Sequence, residues 1–222
     1  MRIDVLTLFP EMFKCVLGES ILKRAQEKKK AQIFIYNLRD WTHDARRTVD
    51  DKPYGGGPGM VIKPEPVFEA CDELCKENTH VILLTPQGKK YNQKLAKKIL
   101  KYEHVLLICG HYEGFDERVH SLADEEISIG DYVLTGGEIP AMVIIDTVVR
   151  LIPGVLGEVC SLDDESFNDG LLEYAQYTRP AIYRKMEVPE ILLSGDHKRI
   201  EKWRKTESLK RTKAKRKDLL KD

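Results

Sequence analysis

The chain has 222 residues, 42% hydrophobic and 32% charged, with 36 Lys or Arg against 36 Asp or Glu. That length suits one domain of ordinary size plus a smaller appendage, and no stretch approaches the roughly 18 apolar residues that a membrane span requires. Five cysteines, Cys15, Cys71, Cys75, Cys109 and Cys160, form an odd set without a C-x2-C pair, which argues against a disulfide framework and a zinc motif and predicts reduced thiols in a soluble, cytoplasmic protein.

The opening MRIDVLTLFP has one basic residue and an apolar run too short for a signal-peptide core, so Arg2–Leu8 reads as a first strand. Ile33–Asn37, His80–Thr85, His104–Gly110 and Glu126–Ser128 read as further strands. Between them, Val67–Lys76 and Asn92–Lys101 carry apolar residues at helical spacing, and Ile139–Leu151 is apolar almost all round, as a buried or interface helix would be. This alternation predicts an α/β fold with a largely parallel sheet and helices on both faces. HVLLICG, residues 104–110, is apolar nearly throughout and belongs in the centre. From Pro153 to Gly170 the texture turns acidic and small, as in a linker, and the helical pattern from Pro189 predicts a small α-helical domain.

Charge is unevenly spread. From His197 to Asp222 there are twelve Lys or Arg and four Asp or Glu, a net of +8, leaving −8 on the rest. Such asymmetry fits either a polyanion-binding end or a solvated, lysine-rich helix.

Three glycine-bearing loops follow strand-like runs: TPQGKKYN at Thr85–Asn92, GHYEGFDER at Gly110–Arg118 and SIGDYVLTGGEIP at Ser128–Pro140. Singly, each reads as a tight turn. Together at the carboxyl ends of adjacent parallel strands they would form one crevice lined by backbone N–H and C=O groups, a nucleoside-type pocket. No G-x-G-x-x-G opens a helix after a first strand and no G-x-x-x-x-G-K-[ST] is present, which removes ordinary dinucleotide and P-loop readings. No G-x-S-x-G elbow or H-E-x-x-H pair occurs, and the six histidines show no ligand spacing, so no metal site is predicted. DDKPYGGGPGM, Asp50–Met60, is a fourth Gly-rich loop, either a flexible turn or a bare backbone against which a partner's base could lie.

Seven stretches carry a family resemblance: LTLFPEMF, DDKPYGGGPGM, CGHYEGFDERV, SIGDYVLTGGE, RLIPGVLG, YTRP and LLSGDHKRIEKWR. In this order and over nearly the whole length, the chain resembles the bacterial tRNA (guanine-N1)-methyltransferase family of the knotted SPOUT class. The resemblance implies methyl transfer from S-adenosylmethionine, held in a trefoil knot, to N1 of the guanosine at tRNA position 37, just 3′ of the anticodon. It implies a donor-binding domain over residues 1–157, a linker over 158–170, a tRNA-binding helical domain over 171–222, and a homodimer. It places the donor against Thr85, Pro86, Gln87 and Gly88, against Gly110, Tyr112 and Glu113, and against Ile129, Gly130, Asp131, Tyr132, Val133, Leu134, Gly136, Gly137 and Pro140.

By the same resemblance Arg150 steadies the base and the acid just before Ser166–Phe167 removes the proton. That position is Glu165 where the family usually has Asp, which leaves Asp164 as second candidate. For tRNA it implies Asp50, Tyr54 and Gly55 in the Gly-rich loop, with Lys198, Arg199, Lys202, Arg204 and Arg211 at the basic end. A Mg2+ requirement has no signature in the sequence. A SPOUT enzyme acting on another RNA, and a non-catalytic RNA-binding protein with a degenerate pocket, are the alternatives; Glu165 and Arg150 favour an enzyme.

Overall fold

The computed structural model describes residues 1–156 and 165–220. The chain divides into two compact units, Met1–Gly157 and Glu158–Asp222. In the first, five parallel strands, β1 (Arg2–Thr7), β2 (Gln32–Asn37), β5 (Thr79–Lys90), β6 (His104–Cys109) and β7 (Glu125–Ser128), form a sheet in the order β2-β1-β6-β5-β7. The central place expected for HVLLIC is the observed one, and all six of its residues are buried. A short antiparallel pair, β3 (Asp50–Asp51) with β4 (Val61–Ile62), brackets the Gly-rich loop.

Helices cover both faces because successive strand residues point to opposite sides. On one side Ile3, Val5, Val105, Leu107 and Cys109 pack with Phe13 of α1 (Phe13–Leu17), Leu22 and Ala25 of α2 (Ser20–Glu27), Ile99 of α4 (Gln93–Ile99), and Ile144 and Val148 of α5 (Glu138–Val149). On the other, Leu6, Leu83, Leu106 and Ile108 meet Val67, Ala70 and Leu74 of α3 (Pro64–Leu74). Each such aliphatic side chain contributes on the order of 1.5–3 kcal/mol by leaving water. The sequence pattern missed α1 and α2. α1 spans less than two turns, α2 is short and mostly polar, and they form because Phe13, Leu22 and Ala25 find the sheet.

Strand β5 runs past its expected end. Ile127 pairs first with Leu84 and then with Lys89, so Thr85–Gly88 arches away from the sheet and returns to it. Gly88 makes the return possible: a Cβ there would lie 2.4 Å from the Ile127 amide nitrogen and 2.5 Å from the Glu126 carbonyl carbon.

Between β6 and β7, Asp116 caps a 3-10 turn over Glu117–Leu122 by accepting from the Arg118 amide, and it pairs with the Arg118 guanidinium at 2.7 Å. The Arg118 side-chain hydrogen bond holds the Asp116 carboxyl down from 3.8 to about 2. A depressed carboxyl contributes stability above its unfolded value that is lost as pH falls through the folded one. Stability is therefore expected to drop between pH 3.8 and about 2, and Asp116→Asn should flatten that part of an acid-unfolding curve. An unchanged curve in the variant would show that this exposed pair adds nothing.

The second unit contains the expected helices, α6 (Glu190–Leu193) and α7 (His197–Lys215), together with an unexpected hairpin, β8 (Ile182–Tyr183) with β9 (Met186–Glu187). Its two turn residues, Arg184 and Lys185, both have positive φ, 49° and 65°, the requirement of a tight two-residue hairpin turn. Asp196 caps α7 by accepting from the Arg199 amide, and Thr212, fully buried, accepts from the Leu172 amide at 2.9 Å. Among the described residues Cys15, Cys71, Cys75 and Cys109 are free thiols, and no helix is long and apolar enough to cross a membrane.

Candidate active site

The carboxyl ends of β5, β6 and β7 open into one crevice of about 470 Å³, within the roughly 300–1,000 Å³ typical of small-molecule sites. The three glycine-bearing loops form its walls. Thr85, Pro86 and Gln87 come from the arch of β5, Gly110, Tyr112 and Glu113 from the loop after β6, and Ile129, Gly130, Tyr132, Val133, Leu134, Gly136, Gly137 and Pro140 from the loop after β7 and the start of α5. Two expected residues stand outside the lining: Gly88 is spent on the strand crossing, and Asp131 turns outward to pair with Lys90 at 2.6 Å.

The floor is bare because nothing larger fits. A Cβ at Gly137 would sit 2.7 Å from Cys109 Cα and 2.9 Å from the Gly110 nitrogen, where helix α5 begins against the end of β6. The Gly137 amide donates to the Gly110 carbonyl at 2.8 Å, which ties the two loops together. At Gly130 the Ser128 hydroxyl donates to the Gly130 carbonyl at 3.0 Å and closes a tight loop end. Beneath Gly136, the buried Glu138 carboxylate accepts from the Thr7 hydroxyl at 2.7 Å, which anchors the first turn of α5 to β1. Neighbouring Cys109 is wholly buried; desolvation, and then the Glu138 charge, push its thiol well up, so it stays protonated.

The sequence reading missed His111, Phe115, Glu117 and His120, which also line the crevice. His111, Phe115 and Glu117 lie inside the GHYEGFDER loop, so their motif was visible although their direction was not. His111 sits between Phe9 and Tyr112, each ring 4.8 Å away, and its Nδ1 is buried without a hydrogen-bond partner. His120 bonds Glu126 through Nδ1 at 2.9 Å and stands near the Gln87 amide. Among the described residues, none that lines the crevice is Lys or Arg, while Glu113 and Glu117 both do.

The remaining expected residues sit elsewhere. Arg150, half-buried, ends α5, its amide donating to the Asp146 carbonyl. Glu165, also half-buried, begins a turn in the second unit, where the Ser166 hydroxyl accepts from the Glu173 amide and Phe167 has φ 72°. Asp164 lies outside the described residues. Asp50 is in β3, Tyr54 is fully exposed, and Gly55 has φ 86°. On α7, Lys198, Arg199 and Lys202 are exposed, whereas Arg204 and Arg211 are half-buried, Arg204 lying 4.7 Å over the Tyr174 ring.

A parallel sheet with helices on both faces and a crevice at the carboxyl ends of its strands places the chain among the α/β proteins that bind ligands at their strand ends. The family model described as "tRNA (Guanine-1)-methyltransferase TrmD" matches residues 1–222, and the chain belongs to that family. It is 61% identical over 220 residues to the tRNA (guanine-N(1)-)-methyltransferase of Dictyoglomus turgidum, covering 99% of this chain and 90% of that protein. The protein of the same name from Carboxydothermus hydrogenoformans is 60% identical over 222 residues (100% and 88%), and that of Bacillus subtilis 56% over 226 residues (100% and 93%).

Proposed function

We propose that the protein transfers the methyl group of S-adenosylmethionine to N1 of the guanosine at tRNA position 37. One observation supports the donor site above the others: among the described residues, those lining the crevice include two glutamates but no lysine or arginine. A nucleotide polyphosphate would find no cation there, whereas an adenosyl group with a cationic sulfonium finds hydrogen-bonding backbone and negative charge. The glycine floor is consistent with this: a Cβ at Gly136 would fall 2.3 Å from Glu138 Oε2 and 2.8 Å from His111 Nδ1, so the backbone there stays bare. Thr85–Gln87, Gly110, Tyr112, Glu113, Ile129, Gly130, Tyr132–Leu134, Gly136, Gly137 and Pro140 would hold the donor, which supplies an activated methyl group. The trefoil knot of the SPOUT class belongs to this reading.

The chain's own task is alignment and proton removal. Glu165 accepts the N1 proton as the N1–carbon bond forms and the carbon–sulfur bond breaks, with Asp164 the second candidate. Arg150 donates to O6, where negative charge gathers as the proton leaves. Incubating the protein with labelled S-adenosylmethionine and unmodified tRNA transcripts should label one guanosine, and primer extension should stop at position 37, because an N1-methyl group blocks the pairing face. Label on another RNA only, or on a ribose, would defeat the assignment.

The first unit is then the donor-binding domain, residues 158–170 the linker, and 171–222 the tRNA-binding domain. With Lys198, Arg199 and Lys202 exposed along α7, tRNA binding should weaken steeply with salt, each phosphate contact contributing a slope of about 0.7–0.9. Changing these three to Ala should lower that slope by about two units or more, read from affinities across a salt series. An unchanged slope would make α7 only a solvated face.

The protein acts as a homodimer with sites shared between chains. Ile139 and Val143 of α5, with Met12 and Val16 beside and on α1, which packs against it, leave apolar side chains exposed where a second copy would cover them. Sedimentation should give twice the chain mass at assay concentration; an active monomer would refute the dimer. The RNA substrate and the free thiols fit a cytoplasmic location.

A further inference from the structure

We propose that Gly59 is the positioning residue through which donor binding in the crevice sets the loop Lys52–Gly59 for RNA, an inference that rests on the crevice being the donor site. The loop and the crevice share a wall. The Glu113 amide donates to the Met60 carbonyl at 3.0 Å, the Ile62 amide to the Gly114 carbonyl at 2.9 Å, and the Asp116 amide to the Ile62 carbonyl at 2.9 Å. The segment leaving the Gly-rich loop is therefore a strand laid along residues 113–116, while the segment entering it, β3, pairs with β4. The outgoing end is thus fastened directly to the loop that follows β6, and the incoming end is held to it through β4.

Its tip has no fastening of this kind. Gly55, Gly56 and Gly57 have φ of 86°, 76° and 123°, and a Cβ built on any of them would meet nothing within 4 Å. Tyr54 beside them is fully exposed. With few contacts of its own, the tip takes its position from its anchors.

Gly59 is the anchor nearest the crevice. Its φ is 85°, and a Cβ there would lie 2.4 Å from Glu113 Oε1, 2.5 Å from Cγ and 2.8 Å from Cδ. The Glu113 side chain thus lies along the bare Cα of Gly59 while the same residue lines the crevice. A ligand that fixes Glu113 from the crevice side also fixes the surface on which Gly59 rests. Because Cγ as well as the carboxylate occupies that space, a methyl group at position 59 displaces the whole Glu113 side chain rather than its tip. Coupling between two sites through such a shared element typically amounts to about 5–150-fold in affinity.

Hydrogen exchange with S-adenosylhomocysteine as the probe, in the absence of RNA, tests this on the full chain. In the wild type the ligand should slow the amides of the crevice loops and also those of Gly56, Ile62 and Lys63, the last two by about fivefold or more. In Gly59→Ala the crevice amides should still slow and those three should not. The KM for tRNA, measured at saturating donor, should rise by about fivefold or more. Slowing confined to the crevice in the wild type overturns the coupling and leaves the donor site standing; slowing nowhere overturns both. If Gly59→Ala does not fold, the wild-type measurement decides the coupling, and Glu113→Ala, which removes the side chain that Gly59 rests on, decides the contact: loop slowing that persists in it overturns the role of Gly59. Loop protection that persists in a folded Gly59→Ala protein would show that Gly59 is not the contact that carries it.

Discussion

Glu165→Gln is expected to slow single-turnover methyl transfer by roughly 10²–10³-fold while leaving donor binding intact. Glutamine keeps the length and hydrogen-bonding reach of the side chain but cannot accept the N1 proton, so the variant separates proton removal from positioning. Arg150→Ala should cost a similar factor, on the order of 2.7–4 kcal/mol of transition-state stabilisation, by removing the donor to O6. The two residues belong to different units, Arg150 at the end of α5 and Glu165 in the turn that opens the described part of the second. A wild-type rate in Glu165→Gln combined with a slow Asp164→Asn would move the base to Asp164.

Gly137→Ala should be the most damaging small substitution in the crevice. Its φ of −82° suits alanine, so backbone strain is not the reason. The added methyl group would meet main chain on the other side, Cys109 Cα at 2.7 Å and the Gly110 nitrogen at 2.9 Å, and neither can turn aside as a side chain would. Overpacking of this sort costs about 1–3 kcal/mol, and relief by sliding α5 off β6 would break the bond from the Gly137 amide to the Gly110 carbonyl and split the crevice floor. Binding of S-adenosylhomocysteine, measured by calorimetry, should fall by at least about tenfold, the equivalent of the lower half of that cost. Gly130→Ala provides the contrast: its methyl group would meet the Tyr132 ring at 2.3 Å, a side chain already more than half exposed and able to swing out. If Gly130→Ala proves as harmful as Gly137→Ala, the distinction between main-chain and side-chain neighbours does not govern this site.

The amino-acid sequence by itself determined the parallel α/β class, the central place of HVLLIC and the three glycine-bearing loops that wall the crevice, because burial on both faces, strand alternation and helical spacing are recorded locally in residue order. It also determined the basic end, since charge is counted rather than folded. Only the tertiary structure decided that Gly88 serves a strand crossing and not the crevice, since that depends on Ile127, distant in the chain, approaching its Cα. In the same way it brought Glu117 and His120 to the crevice and turned Asp131 away toward Lys90. It set Arg204 against Tyr174 while leaving Lys198, Arg199 and Lys202 exposed, although a run of charge looks the same from every side in sequence. It laid the outgoing strand of the Gly-rich loop along residues 113–116. Each of these is a contact between segments far apart in the chain, and no periodicity within one segment encodes which backbone will come to lie against it.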